Sequence, residues 1–154
     1  SSYANMGCGD MPDWDVGCVT DMNGLFSFFQ DIPDITAWDV SNVVNMQAMF
    51  LGAEEFNQDI TSWNVAKVTT MISLFTGAAE FNQDLSSWDV GQVTSMFGMF
   101  SYASKFNQDL SSWDVSRVTD MSSMFAGAAE FNQDLSSWDV DQVTSMYAMF
   151  AWAS

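Results

Sequence analysis

Apolar and polar positions follow one short pattern that recurs down almost the whole chain. In 118–129, Met121, Met124, Phe125 and Ala128 stand at i, i+3, i+4 and i+7, the spacing of one apolar face on a short helix. The same places hold Met46, Met49, Phe50 and Ala53, and again Met71, Leu74, Phe75 and Ala78. Thr119 or Asp120 offers an N-cap oxygen, while Gly52, Gly77 and Gly127 lie where a helix end often takes a left-handed residue. A helix of roughly two or three turns does not survive alone, so packing between units must hold it. The block FNQDLSSWDV, unchanged at 81–90, 106–115 and 131–140, reads instead as an extended segment that bends between Leu and Trp.

The pattern has a fixed period. Trp recurs at 14, 38, 63, 88, 113 and 138, a spacing of 24 once and 25 thereafter. Such a period marks a solenoid whose units bury their apolar faces only against their neighbours. The expected fold is therefore α/β: a right-handed, leucine-rich-repeat-like solenoid of about six 25-residue units starting at 14, 38, 63, 88, 113 and 138, the last incomplete. Short parallel strands, with rungs about 4.8 Å apart, would form one side and short helices the other. Equal places then become columns, with Phe56, Phe81, Phe106 and Phe131 in one and Trp63, Trp88, Trp113 and Trp138 in another, both read as core. Residues 1–13 do not match the repeat and are expected to form an N-terminal cap. Residues 14–154 make up the solenoid. Its first unit is one residue short and carries Pro33 where the others have Gln, which suits an edge. The extended segment due after the final MFAWAS does not follow. The core is expected to be open there unless further sequence or another molecule covers it.

Composition narrows the partners. Twenty acidic residues face three basic ones, Lys67, Lys105 and Arg117, for a formal charge of −17. That field repels phosphate backbones and argues against nucleic acid, while favouring solubility and attraction to cations or basic surfaces. With no His and two Cys, no His/Cys zinc site can be assembled, and no apolar run approaches a membrane span. The opening SSYANMGCGD lacks the charged and apolar regions of a signal peptide. Cys8 and Cys18 are placed as a disulfide stapling the end of the solenoid requires, two core thiols being the alternative.

The block VTDMSSMFAGAAEFNQDLSSWDV resembles the repeat of BspA-like leucine-rich-repeat surface proteins, in particular the 25-residue-repeat subgroup of many bacterial lipoproteins and some algal proteins. The resemblance runs from Trp14 to Ser154. It implies a leucine-rich-repeat α/β solenoid displayed outside the cell, with adhesion or protein binding as its role and no catalytic residues. The chain departs from that pattern in its Cys-containing start, its short first unit and its missing C-terminal cap, and it lacks a lipidation signal.

Two acidic columns are candidate chemistry. Asp59, Asp84, Asp109 and Asp134 follow FNQ; Asp39, Asp89, Asp114 and Asp139 follow Trp, with Asn64 in the third unit. Unit charges about 4.8 Å apart repel by roughly 1 kcal/mol in water. These carboxylates must therefore face water, accept turn N–H groups or share calcium. The asparagines of FNQD form an amide ladder that serves the backbone of neighbouring rungs. Ser87, Ser112 and Ser137 belong to a hydroxyl array that is either a solvated face or a surface for ice or glycan. Ile72, Phe97, Tyr102, Tyr147 and Trp152 stand where the core does not require aromatics, and could form a contact patch on the helical side and open end. No nucleophile–base pair, phosphate loop or metal triad appears. The expectation is a non-enzymatic, extracellular or cell-surface module, without a cofactor, that binds protein partners or associates end to end with its own copies. A ligand-binding solenoid for calcium, glycan or ice, using the Asp and Ser/Thr columns, is the alternative.

Overall fold

The computed structural model describes residues 14–153. They form a stack of six coils joined by five parallel single-residue bridges, Asp21 to Asn45, Asn45 to Thr70, Thr70 to Ser95, Ser95 to Asp120 and Asp120 to Ser145. The stacking follows the period of the sequence, but the elements differ from those expected. Among the described residues there is no helix and no strand longer than a bridge, so the α/β leucine-rich-repeat reading is corrected. The proposed cap of residues 1–13, and Cys8 with it, lies outside the described residues.

Backbone bonding explains the missing helix. An α-helix needs each N–H to reach the carbonyl four residues back. Here alternate N–H groups have different partners. Those of Met99, Ser101 and Ala103 close tight turns on Met96, Gly98 and Phe100 at 3.0–3.1 Å. Those of Met96, Gly98, Phe100 and Tyr102 leave the coil and bond Asp120, Ser122, Met124 and Ala126 of the next one at 2.7–3.0 Å. The chain keeps this alternation by placing Gly98 (φ 61°) and Tyr102 (φ 57°) in the left-handed region, which no α-helix tolerates in its interior. Ser123 (φ 56°) and Gly127 (φ 70°) repeat the device one coil later. The apolar face was nonetheless legible: Met121, Met124, Phe125 and Ala128 all point inward and are fully buried.

The extended half is corrected too. No backbone-to-backbone bond joins the FNQDL segments of neighbouring coils. The bridges fall instead at Asp120 and its equivalents, residues expected at a helix start. Side chains do the joining along FNQDLSSW. Asn107 Oδ1 accepts the Asn132 N–H at 2.9 Å and the Gln133 amide at 2.9 Å, as Asn82 and Asn57 do for the coils that follow them. The indole N–H of Trp113 reaches Leu85 O and that of Trp138 reaches Leu110 O, both at 2.9 Å.

Two columns of stacked rings fill the interior. Phe50, Phe75, Phe100 and Phe125 follow one another at 5.6–5.7 Å, and Phe81, Phe106 and Phe131 at 6.0 Å. Within a coil the two columns touch, with Phe100 and Phe106 centroids 4.0 Å apart. Burial of such rings is the main attraction holding flat coils together, because their outer faces give up apolar area to the coils above and below.

Candidate interaction face

The Asp columns cap turns. Oδ1 of Asp59, Asp84, Asp109 and Asp134 accepts the N–H two residues on, of Thr61, Ser86, Ser111 and Ser136, at 2.8–3.0 Å. Asp39, Asp89, Asp114 and Asp139 do the same for Ser41, Gly91, Ser116 and Asp141, and Asn64 for Ala66 without a charge. The Ser111 N–H and hydroxyl hold Asp109 below the usual carboxylate range, against the opposing pull of Asp84 and Asp134. Asp59, Asp84 and Asp134 are lowered in the same way by the backbone and hydroxyl of Thr61, Ser86 and Ser136. Among the described residues no three Cys, Asp or Glu side chains converge to hold a metal ion.

The serine array is an inter-coil tie. Ser87, Ser112 and Ser137 donate to the carbonyls of Thr61, Ser86 and Ser111 at 2.8–2.9 Å. Ser87 also lines a shallow hollow of about 360 Å³ with Thr61, Ser62, Trp63, Asn64, Val65 and Asp89. The buried Trp63 indole N–H has no hydrogen-bond partner. Cys18 is disulfide-bonded.

The apolar positions singled out from sequence separate into two groups. Ile72 is half-buried and Phe97 partly exposed on the side of the stack. Tyr102 lies flat against the next coil: a Cβ added to Gly127 would come within 2.6 Å of its ring. Tyr147 and Trp152 belong to the last coil, where they are 80% and 77% exposed. There they join Val140, Met146 and Phe150, whose equivalents in every inner coil are buried. The exposed Phe28 and Phe29 were also missed. Phe28 was legible, since it occupies the same column as Tyr102 and Trp152.

The last coil presents more than apolar surface. Its inner turns close as in other coils, with Met149, Ala151 and Ala153 N–H bonded to Met146, Ala148 and Phe150. The N–H groups of Met146, Ala148, Phe150 and Trp152, whose equivalents bond onward in every inner coil, have no backbone acceptor among the described residues. Asn132 Oδ1, the last rung of the amide ladder, likewise accepts no hydrogen bond from the described residues. The exposed rings are thus bordered by a row of main-chain donors and an open amide acceptor.

Residues 2–103 and 60–154 match the model of a family described as "Mycoplasma protein of unknown function, DUF285". Together the two matches span nearly the whole chain. The chain belongs to the DUF285 family. That membership agrees with a BspA-like repeat protein. Comparison of this DUF285 chain with curated proteins gave no match, and comparison with solved structures gave none. Among its described residues, no helix is long and apolar enough to cross a membrane.

Proposed function

We propose that this chain is a non-enzymatic interaction module of the 25-residue BspA-like type, displayed outside the cell and binding protein through the aromatics exposed along the side of its stack. One observation carries the reading: Phe28, Phe97 and Tyr102 lie exposed on the side of the stack, where core packing requires no aromatic. Aromatic rings exposed outside the core suit a protein partner, whose apolar side chains anchor on them. A disulfide at Cys18 supports an oxidising compartment. The net charge of −17 favours a partner whose surface is neutral or basic around its apolar anchor.

Selection of displayed peptides on the intact chain, followed by screening against a Phe97→Ser/Tyr102→Ser variant, tests the reading. Peptides that bind the chain and lose at least tenfold in affinity on the variant support it. Failure to enrich any binder, or binders indifferent to both substitutions, refutes it.

A further inference from the structure

The hollow beside Trp63 lies where three successive side chains break the pattern of their columns. Ser87, Ser112 and Ser137 each donate a hydroxyl to a carbonyl of the coil before, but the hydroxyl of Ser62, which precedes them in that column, bonds no described residue. Trp88, Trp113 and Trp138 donate their indole N–H groups to Ile60, Leu85 and Leu110 at 2.9–3.2 Å. That of Trp63 has no acceptor among the described residues, although Trp63 is only 4% exposed. Asn64 stands where the other coils carry Asp. Its Oδ1 caps Ala66 as the aspartates cap their turns, which leaves the amide NH2 unbonded at the surface.

The rest of the lining is held in place. Thr61 Oγ1 donates forward to Asp84 O at 3.0 Å and Ser87 Oγ donates back to Thr61 O at 2.9 Å, so the two coils are tied in both directions. Ser86 and Ser111, the equivalents of Thr61, make no such forward bond. Asp89 gives Oδ1 to the Gly91 N–H at 3.1 Å, and its Oδ2 bonds no described residue. In this column Oδ2 leans over the turn of the coil before: Asp114 Oδ2 lies 3.5 Å from where a Cβ on Gly91 would stand, and Asp39 Oδ2 lies 3.5 Å from one on Gly17. By the same stacking, Asp89 Oδ2 faces the turn that Asn64 caps. A free amide donor, a free hydroxyl and a free carboxylate oxygen thus share one hollow of about 360 Å³, a size that suits a small molecule. Its ligand must accept from Asn64, donate to Asp89 and do both without a negative charge, which the −17 of the chain would repel. Neighbouring hydroxyls on a sugar ring meet those terms, since each both donates and accepts. We propose that this hollow binds a neutral saccharide, with adjacent ring hydroxyls bridging Asn64 Nδ2 and Asp89 Oδ2 and a third group meeting Ser62. Asn64 sets the specificity, because Asp in its place would leave two carboxylates and no amide donor. The site is separate from the aromatics that carry the proposed function and does not depend on them.

Methyl α-mannoside, methyl β-galactoside and methyl β-glucoside are titrated into the isotope-labelled intact chain, and NMR follows the Trp63 indole N–H and the Asn64 side-chain amide. At least one sugar should shift both resonances saturably, with a Kd on the order of 1 mM. Asn64→Asp restores the residue of the other coils and keeps the turn acceptor, so the chain should fold as before and bind at least about tenfold more weakly, read at Trp63. Ser62→Ala should weaken binding about threefold. Asp114→Asn, the same change in charge one coil beyond Asp89, should leave it unchanged. No saturable shift with any of the three sugars, or equal binding by the Asn64→Asp chain, would overturn the proposal. So would shifts centred on Phe97 and Tyr102, which would put the sugar on the exposed aromatics instead.

Discussion

The fourth coil and the last one are nearly the same text in different surroundings. Residues 90–104 read VGQVTSMFGMFSYAS and residues 140–154 read VDQVTSMYAMFAWAS. The described backbone is the same too: the turns close on equivalent carbonyls, and Gly98 and Ala148 share the left-handed conformation, as do Tyr102 and Trp152. Burial is not the same. Phe100 is fully buried, whereas Phe150 is 51% exposed, and Met96 against Met146 shows the same contrast. Local sequence and one neighbour suffice to set a coil's conformation. A second neighbour converts its ring column into core. An inner coil is therefore held from both sides, and the last coil presents a surface of the same kind as the stack's own internal contacts.

That contrast breaks most sharply at the phenylalanine column. Phe100→Ala removes a ring packed between Phe75, Phe106 and Phe125, and should cost about 3–5 kcal/mol in denaturant unfolding. Phe150→Ala should cost about 1–2 kcal/mol, because its ring is covered from one side only. Equal losses would mean that the coils do not depend on their second neighbour.

The amide ladder offers a smaller version of the same test. Asn107→Ala strands the Asn132 N–H and leaves the Gln133 amide only the Asn107 carbonyl, and should destabilise by about 1–3 kcal/mol. Asn132→Ala removes an oxygen that accepts no hydrogen bond from the described residues, so its effect should stay within about 0.5 kcal/mol. The two melting curves decide it.

Gly127→Ala and Gly77→Ala share the left-handed backbone penalty, about 1–2 kcal/mol each. Gly127→Ala adds a contact with the Tyr102 ring, so it should be the worse of the two, and a Tyr102→Ala background should remove the excess. A double-mutant cycle should give a coupling of about 0.5–3 kcal/mol for Tyr102 with Gly127. It should give none for Tyr102 with Gly77.

The acidic turns should respond least, and through pH. Asp59, Asp84, Asp109 and Asp134 have folded pKa values below the ordinary 3.8 because turn N–H and hydroxyl groups favour their charged forms. Their stabilisation is fully present above the unfolded value. It is lost as pH falls from about 4 through the lower folded values. Melting temperature should therefore drop on acidification in that window. Asp109→Asn keeps the turn acceptor, as Asn64 does for Ala66, and should make the drop shallower. An unchanged slope would show that its bond to Ser111 does not carry pH dependence.

The inward face of each coil was legible because burial depends on spacing: Met121, Met124, Phe125 and Ala128 share one side of a helix and, equally, one side of a flat turn spiral. The two structures share that spacing, so periodicity alone does not separate them. The deciding fact is where the alternate N–H groups go. That depends on a neighbouring coil carrying carbonyls at the matching height. The strand expected over FNQDL failed for a related reason, since Asn107, Gln108 and Trp113 join coils through side chains and leave the backbone unpaired across the junction. In the contact patch, Tyr147 and Trp152 were read as exposed from their place off the apolar face. Phe150 belongs to the inward column and is exposed because the last described coil has a neighbour on one side only.

The sequence by itself determined the period, the stacking of like on like, the inward residues and the turn-capping acids. Each follows from residue type and spacing within a single unit. Only the tertiary structure decided that the described coils contain neither helices nor strands, and that rings such as Phe28 and Tyr102 require glycine in the coil above them. Those features arise between units, where a hydrogen bond or a ring contact exists only when the neighbour is in place.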